Sequence, residues 1–278
     1  MTAVDQVDRY AVVGNPVAHS LSPRIHASFA AQTAQKISYE SIEIPLESFI
    51  DGIRELQQQG YSGVNVTVPF KREAWELCDQ LSARARDAGA VNTLSFLADG
   101  SVTGDNTDGV GLTNDLVDNL GVVIERRKIL LLGAGGAVRG VLGPVLALSP
   151  ERLTIANRTP QKAVALARDF EQFGEIHALA YESLGTTSYD LIINGTAAGL
   201  SNQVPPIAAS ALNPDSVCYD MMYSLSGATA FVDWALSNGA KQAFDGRGML
   251  VEQAAAAFHI WRGIYPRTAE VIKTLGQS

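Results

Sequence analysis

From residue 10 to residue 70 the chain switches between two rhythms of apolar and polar positions, and the switching predicts its elements. Tyr10-Ala-Val-Val-Gly14 is a short apolar run that predicts a buried strand. Pro23 to Ala34 predicts a helix, with Pro23 at its first position and Ser22 as its N-cap. From Ser38 to Ile44, Tyr39, Ser41 and Glu43 alternate with Ile42 and Ile44, a strand pattern. Leu46, Phe49, Ile50, Ile53 and Leu56 then mark one helical face, which Gly60 ends. Gly63 to Val68 returns to strand. Its Asn65 and Thr67 share one face, and Val64, Val66 and Val68 share the other, ready to be covered by helices. Strand, helix and strand in succession predict an α/β sheet with largely parallel pairing.

A second α/β series begins at Lys128. Ile129 to Leu132 is too apolar for a half-exposed strand and predicts a central one covered on both faces. Helix Gly136 to Leu148, strand Leu153 to Ala156 and helix Pro160 to Phe173 follow, then strands near Ile176, Leu191 and Val217. Such a series is the nucleotide-binding half of a doubly wound, Rossmann-type fold. Asp108 to Leu120 reads as a helix linking the two series. After Asp245-Gly-Arg-Gly-Met249 come a long helix, Leu250 to Ile264, and a last one, Arg267 to Leu275, both expected to return to the first unit. The expectation is thus an α/β chain of two domains, 1–107 with 246–278 and 108–245. The cleft between them is the expected place for the chemistry, since ligand sites favour domain junctions.

Composition narrows the class. At 278 residues, 46% hydrophobic and 18% charged, the chain can bury a sizeable core and reads as a soluble globular protein. Its net charge of −8 and lack of any Lys/Arg block argue against a nucleic-acid partner. Cys78 and Cys218 stand far apart, with no second Cys or His at ligand spacing, so neither a disulfide framework nor a CxxC metal site is expected. The four histidines form no metal-ligand pattern. No apolar run reaches the ~20 residues that span a bilayer, and Met1 to Tyr10 has no apolar signal region. A cytoplasmic protein with no membrane partner is expected.

Three motifs carry chemistry. Gly133-Ala134-Gly135-Gly136-Ala137 turns a strand into a helix: Gly133 permits the turn, Gly135 lets a pyrophosphate approach, and the helix offers its first amides to that anion. Position 138 is Val, so the strict G-x-G-x-x-G is not met, although Ala137 and Gly140 still allow close packing. The next strand ends in Asn157-Arg158-Thr159, with no acid for a ribose 2′-hydroxyl. Arg158 can instead pair with a 2′-phosphate, which favours NADP over NAD. Lys71 opens a helix, where the dipole repels a cation, and follows a strand face of Asn65 and Thr67. Asp105-Asn106-Thr107-Asp108 offers two acids, and spacing does not choose between them or exclude a mere turn and cap. Ala90-Val91-Asn92-Thr93 adds a polar pair inside an apolar stretch. Ser20 and Ser22 beside a helix start can hold a carboxylate, and Ser22 is equally explained as a cap. A lysine, a carboxylate and a dinucleotide-type loop point to proton transfer beside a cofactor, hence to an oxidoreductase.

These motifs, in this order, resemble the shikimate dehydrogenases. The likeness runs from Gly14-Asn-Pro16 through His19-Ser-Leu-Ser-Pro23, Asn65-Val-Thr-Val-Pro-Phe-Lys71, Ala90-Val-Asn-Thr93 and Asn106-Thr-Asp-Gly109. It continues through Gly133-Ala-Gly-Gly-Ala137, Asn157-Arg-Thr159 and Tyr219-Asp-Met-Met-Tyr223 to Asp245-Gly-Arg-Gly-Met-Leu-Val-Glu-Gln253. The resemblance implies NADPH-dependent reduction of 3-dehydroshikimate to shikimate, on the path to aromatic amino acids. It implies that Lys71 and Asp108 act at the reacting oxygen and that Ser20, Ser22 and Tyr223 hold the substrate carboxylate. Asn65, Thr67, Asn92 and Gln253 would bind ring hydroxyls. Gly133 to Ala137 would take the pyrophosphate, Asn157, Arg158 and Thr159 the 2′-phosphate, and Met221, Gly246 and Met249 the nicotinamide side. The residues 1–107 and 246–278 would then form the substrate domain, and 108–245 the NADP domain.

The chain departs from the family pattern at Arg247, where Leu is usual, at Ala27 for Asn and at Ala230 for Pro. Two rivals remain at this stage. An NAD-using quinate/shikimate dehydrogenase would want an acid after Ala156, and none is there. A non-catalytic paralogue would be expected to lack Lys71 or Asp108, and both are present. Monomer and homodimer fit the sequence equally.

Overall fold

The computed structural model of the protein describes residues 7–198, 203–224 and 226–276. Most of the N-terminal segment searched for a signal, Met1 to Gln6, lies outside them. The described residues divide into two compact units. One holds the chain up to Gly111 and again from Leu250, and the other holds Leu112–Met249.

In the first unit the order is β1 (Asp8–Gly14), α1 (Ser22–Thr33), β2 (Ile37–Glu43), α2 (Phe49–Gln58) and β3 (Tyr61–Val66). There follow α3 (Lys71–Leu77), β4 (Gln80–Leu81), α4 (Ala83–Ala88), β5 (Thr93–Phe96), β6 (Val102–Asp105) and the start of α5 (Asp108–Asn114). The sheet runs β2-β1-β3-β5-β6-β4. It is parallel through β2, β1 and β3, but β5 lies antiparallel to both β3 and β6. Three of its five pairings are parallel, as expected, and both antiparallel ones involve β5. The reason is local: β5 and β6 are joined by a short turn, Leu97 to Ser101, which permits only antiparallel neighbours.

Several expected details shift. Val64 and Val66 are buried, but Val68 is 58% exposed, because β3 ends at Val66 and the chain turns away. Leu46 and Ile50 are exposed too, and α2 buries only Phe49, Ile53 and Leu56. Ser22 is not an N-cap: it is the first residue of α1, Leu21 holds the cap position, and the Ser20 hydroxyl accepts the Ser22 N–H at 3.2 Å.

The long C-terminal helix α9 (Arg247–Arg262) and α10 (Ala269–Leu275) belong, from Leu250 on, with the first unit. Trp261 stacks on Tyr10 at 4.5 Å between ring centroids and donates its indole N–H to the Leu94 carbonyl at 3.1 Å. Arg262 pairs with Asp8 at the start of β1. These contacts fasten α9 to β1 and β5.

The second unit contains β7 (Lys128–Leu132), α6 (Gly136–Ala147), β8 (Arg152–Ala156), α7 (Pro160–Asp169), β9 (Ile176–Leu179), β10 (Tyr189–Asn194), β11 (Leu212–Asp220), α8 (Ala230–Ser237) and β12 (Gln242–Phe244). Its sheet order is β12-β11-β10-β7-β8-β9, all parallel. That is the doubly wound order of a Rossmann-type fold, reversing between β7 and β10. Ile129 to Leu132 are fully buried, as a central strand covered on both faces requires. The segment after α5 is not plain α-helix: Asp115–Asn119 form a π-helical turn, so the predicted continuous helix to Leu120 changes type halfway.

Candidate active site

Lys71 and Asp108 meet in the first unit. Lys71 begins α3 and Asp108 begins α5, and Nζ lies 2.6 Å from Oδ2. Both are largely shielded, with the lysine side chain 20% exposed and the aspartate 8%. The same geometry chooses between the two acids that spacing left open. Asp105 is taken by Arg84, whose Nε and Nη2 donate to its two oxygens at 2.6 and 2.9 Å, and by the Ser82 hydroxyl at 2.7 Å. Asp108 is the carboxylate that faces the ammonium.

Around this pair runs a directed network. The Asn92 side-chain amide donates to Asp108 Oδ1 and to the Thr107 hydroxyl, each at 2.9 Å, and to Gln253 Oε1 at 3.3 Å. Its oxygen accepts the Thr107 N–H and the Thr93 hydroxyl, each at 2.9 Å. Asn65 donates to the Asn92 carbonyl and to Thr93 Oγ1, both at 3.1 Å, and its own oxygen accepts the Tyr39 hydroxyl at 2.7 Å. Burial drives the pKa of that Tyr39 hydroxyl well above the ordinary phenol range. Thr67 follows β3, half-buried, with its methyl over Gly14. Lys71, Asp108, Asn65, Asn92 and Gln253 are thus joined directly, and Ser20 is joined to Ser22. Tyr223 is half-buried after β11 in the second unit.

Behind Asn65 lies His26, expected from the sequence to be an ordinary structural residue. His26 is fully buried, with no hydrogen-bond partner for either ring nitrogen, and stacks on Tyr39 at 4.0 Å and 6°. Burial pushes its pKa down to about 3, so the ring is neutral. Tyr39, Thr93 and Thr107 stand in the sequence only as members of a strand pattern, a polar pair and an acidic motif, with no role of their own. Their signal was weak, and apart from the neighbouring Asn92–Thr93 pair their side-chain hydrogen-bond partners lie 15 or more residues away.

In the second unit the glycine turn follows β7 at the point where strand order reverses. Gly133 has φ +105°, and its N–H donates to the Ala156 carbonyl at 2.8 Å. Side chains at Gly135 or Gly136 would meet nothing within 4 Å, which leaves the first turn of α6 open to a ligand. Val138 is buried where the fingerprint wants glycine. Gly195 after β10 compensates, since a Cβ there would lie 2.5 Å from Val138 Cγ2 and 3.0 Å from Met221 Sδ. The helix thus approaches the sheet by a deletion on the sheet's side.

Other cofactor candidates group along the same sheet end. Gly246 lies against Met221, leaving no space for a side chain, and its N–H donates to the Met222 carbonyl at 2.9 Å. The Met249 N–H donates to the Tyr219 hydroxyl at 3.3 Å, and that hydroxyl donates to Asp115 Oδ2 at 2.7 Å. Asp220 fixes the loop after β11, accepting from Asn194 Nδ2 and the Met222 N–H at 3.1 Å and from the Thr229 hydroxyl at 2.6 Å. Gly195, Asn194 and Asp220 were not foreseen; the Asn-Gly-Thr following an apolar strand was the available signal.

At the end of β8, Asn157 donates to the Thr159 carbonyl at 2.9 Å, and Arg158 is exposed close enough to Tyr181 for its charge to act there. Thr159 sits at the cap position of α7 but makes no side-chain cap bond. Arg247 folds back on Asp245, Nε to Oδ1 at 2.9 Å. An open helix N-terminus beside a positive-φ glycine, with an arginine and no acid after the next strand, fits a dinucleotide carrying a 2′-phosphate. Among the described residues no cluster of His, Cys, Asp and Glu could hold a metal, and no helix is long and apolar enough to cross a membrane.

A doubly wound unit of this kind, together with a shielded lysine–carboxylate pair, defines an NADP-dependent oxidoreductase. Comparison with known proteins agrees. Residues 12–94 match the family model described as "Shikimate dehydrogenase substrate binding domain", 115–203 match "Shikimate / quinate 5-dehydrogenase", and 246–275 match "Shikimate 5'-dehydrogenase C-terminal domain". The chain is 54% identical to "Shikimate dehydrogenase (NADP(+))" of Thioalkalivibrio sulfidiphilus, over 97% of this chain and 98% of that one. It is 52% identical to the protein of the same name from Aeromonas salmonicida, over 97% of each. A solved shikimate 5-dehydrogenase from Thermus thermophilus, in complex with NADP(H) and shikimate, superimposes with a TM-score of 0.86 at 33% identity, covering 98% of this chain and 99% of that one. The chain belongs to the shikimate dehydrogenase family.

Proposed function

We propose that the protein catalyses the reversible, NADPH-dependent reduction of 3-dehydroshikimate to shikimate. The observation that carries the reading is the 2.6 Å contact of Lys71 with Asp108, set in a wall of amides and hydroxyls suited to a polyhydroxylated ring. Bound NADPH supplies the hydride, and the protein supplies position and the proton. We assign Gly133 to Ala137 to the pyrophosphate, Asn157, Arg158 and Thr159 to the 2′-phosphate, and Met221, Gly246 and Met249 to the nicotinamide side. On the substrate side we assign Ser20, Ser22 and Tyr223 to the carboxylate, and Asn65, Thr67, Asn92 and Gln253 to hydroxyls.

Lys71 performs the proton step in this reading. An ammonium has three donors, and Asp108 occupies one. A second points to the reacting oxygen: as the O–H bond forms, an N–H bond breaks, and the neutral amine regains its proton from water. Asp108 holds the amine in place throughout, because its other oxygen is anchored by Asn92 and cannot rotate freely. In the oxidative direction the same groups run in reverse, with Lys71 accepting the hydroxyl proton.

The decisive assay follows reduced-nicotinamide absorbance with shikimate or quinate, each paired with NADP or NAD. The expected result is rapid turnover with shikimate and NADP and far slower turnover in the other three pairings. No turnover with shikimate and NADP overturns the reading. We place the enzyme in the cytoplasm, in keeping with its two free cysteines, and light scattering in solution distinguishes monomer from homodimer.

A further inference from the structure

We propose that Tyr39 is a positioning residue for the substrate site, its hydroxyl holding the Asn65 amide in one orientation; this rests on the reading above. Tyr39 lies on β2, beside Tyr10 of β1 in the sheet register. Its ring is clamped from behind by the parallel imidazole of His26 at 4.0 Å. His26 is itself ringed by Phe29, Phe258 and Trp261 at 5.6 to 6.1 Å. The aromatic layer leaves the phenol little freedom, and its hydroxyl donates to Asn65 Oδ1 at 2.7 Å.

The consequence is directional. A side-chain amide can flip, exchanging oxygen for NH₂, unless a partner distinguishes its ends. The Asn92 main-chain carbonyl only accepts, so Asn65 aims its NH₂ there and at Thr93 Oγ1, and its oxygen is left for the Tyr39 hydroxyl to donate to. Thr93, having accepted that bond, donates its only proton to Asn92 Oδ1. Asn92 Oδ1 also accepts the Thr107 N–H, which leaves its NH₂ for Asp108 and Gln253. Main-chain groups set the polarity of both amides, and the phenol supplies the one donor that holds the Asn65 oxygen.

The test is Tyr39→Phe, which removes one oxygen and keeps the stacked ring. The KM for shikimate should rise about 3- to 10-fold, as loss of a single orienting hydrogen bond implies. Turnover number should change less than about 2-fold, and the KM for NADP should not move, since a general loss of fold would shift all three together. In an Asn65→Ala background the same change should add almost nothing. An unchanged shikimate KM in the single variant, or effects that multiply in the double variant, would overturn the proposal.

A ligand-free measurement decides the point independently of activity. In nitrogen-15-labelled protein the Asn65 side-chain amide, identified by its loss in Asn65→Ala, should exchange with solvent far more slowly than surface amides. It should shift and exchange faster in Tyr39→Phe. Fast exchange in the unmodified protein, or an unchanged signal in the variant, sinks the idea. If the enzyme instead fails to oxidise shikimate at all, it is the proposed function that falls, and the amide signal still rules on Tyr39.

Discussion

Lys71 and Asp108 show how much a single shielded contact is asked to do. The dipole of a helix disfavours a cation at its start, so Lys71 is held there against that tendency by Asp108 at 2.6 Å. Replacing Lys71 with Ala should lower kcat by about 10²- to 10⁴-fold, the usual contribution of a positioned acid or base, with KM changed only a few-fold. Steady-state kinetics with shikimate check this, and a near-normal kcat would remove Lys71 from the chemistry. His26 permits a prediction of another kind. Its folded pKa of about 3 lies below the unfolded value near ~6.5, so the unfolded chain binds the extra proton between them. The stability this neutral ring allows is whole above ~6.5 and is lost as pH falls, by roughly 1.4 kcal/mol per unit. Urea unfolding at neutral and mildly acid pH should show that slope in the parent and a shallower one in His26→Phe; parallel curves would refute it.

Among the elements, the approach of α6 to its sheet is the most instructive. The dinucleotide-binding fingerprint asks for a glycine on the helix, and the chain supplies Val138 there and Gly195 on the facing loop. Two buried groups in van der Waals contact need one small partner, and either side can provide it. Gly195→Ala should therefore destabilise the protein by about 1–3 kcal/mol through overpacking. Val138→Ala in the same chain should recover most of the loss, measured by denaturant midpoints; additive losses would show that the contact is not the cause. The glycine turn itself was legible in the sequence because strand, turn and helix are consecutive. The compensation was not, since it depends on β10 lying beside β7. Ser22 failed as a cap for a similar local reason: Ser20, two residues earlier, already supplies the hydroxyl.

For the molecule as a whole, cofactor choice can be read as stability. A ligand that binds only the folded state raises stability by about 2.7 kcal/mol at a hundred times its Kd. NADP should therefore raise Tm more than NAD does at equal concentration. Arg158→Ala should abolish most of that difference while leaving the small NAD effect intact, because the fork of the guanidinium addresses only the 2′-phosphate. Thermal shifts with the two dinucleotides measure this, and an undiminished NADP preference would move the phosphate contact elsewhere. The Lys71→Ala variant should keep the full NADP shift.

The sequence alone determined the elements, the glycine turn, the absence of an acid after β8, and a short list of polar residues out of place. All of these are set by neighbours within a few positions, where periodicity and turn chemistry act. Only the tertiary structure decided which acid meets Lys71, since Asp105 and Asp108 differ merely in which one Arg84 and Ser82 reach. It also decided the polarity of the amides, which follows from the Asn92 carbonyl meeting Asn65 and the Thr107 N–H meeting Asn92 from separate elements. Hydrogen bonds have direction, and direction is fixed only when donors and acceptors distant in sequence are brought within about 3 Å of each other.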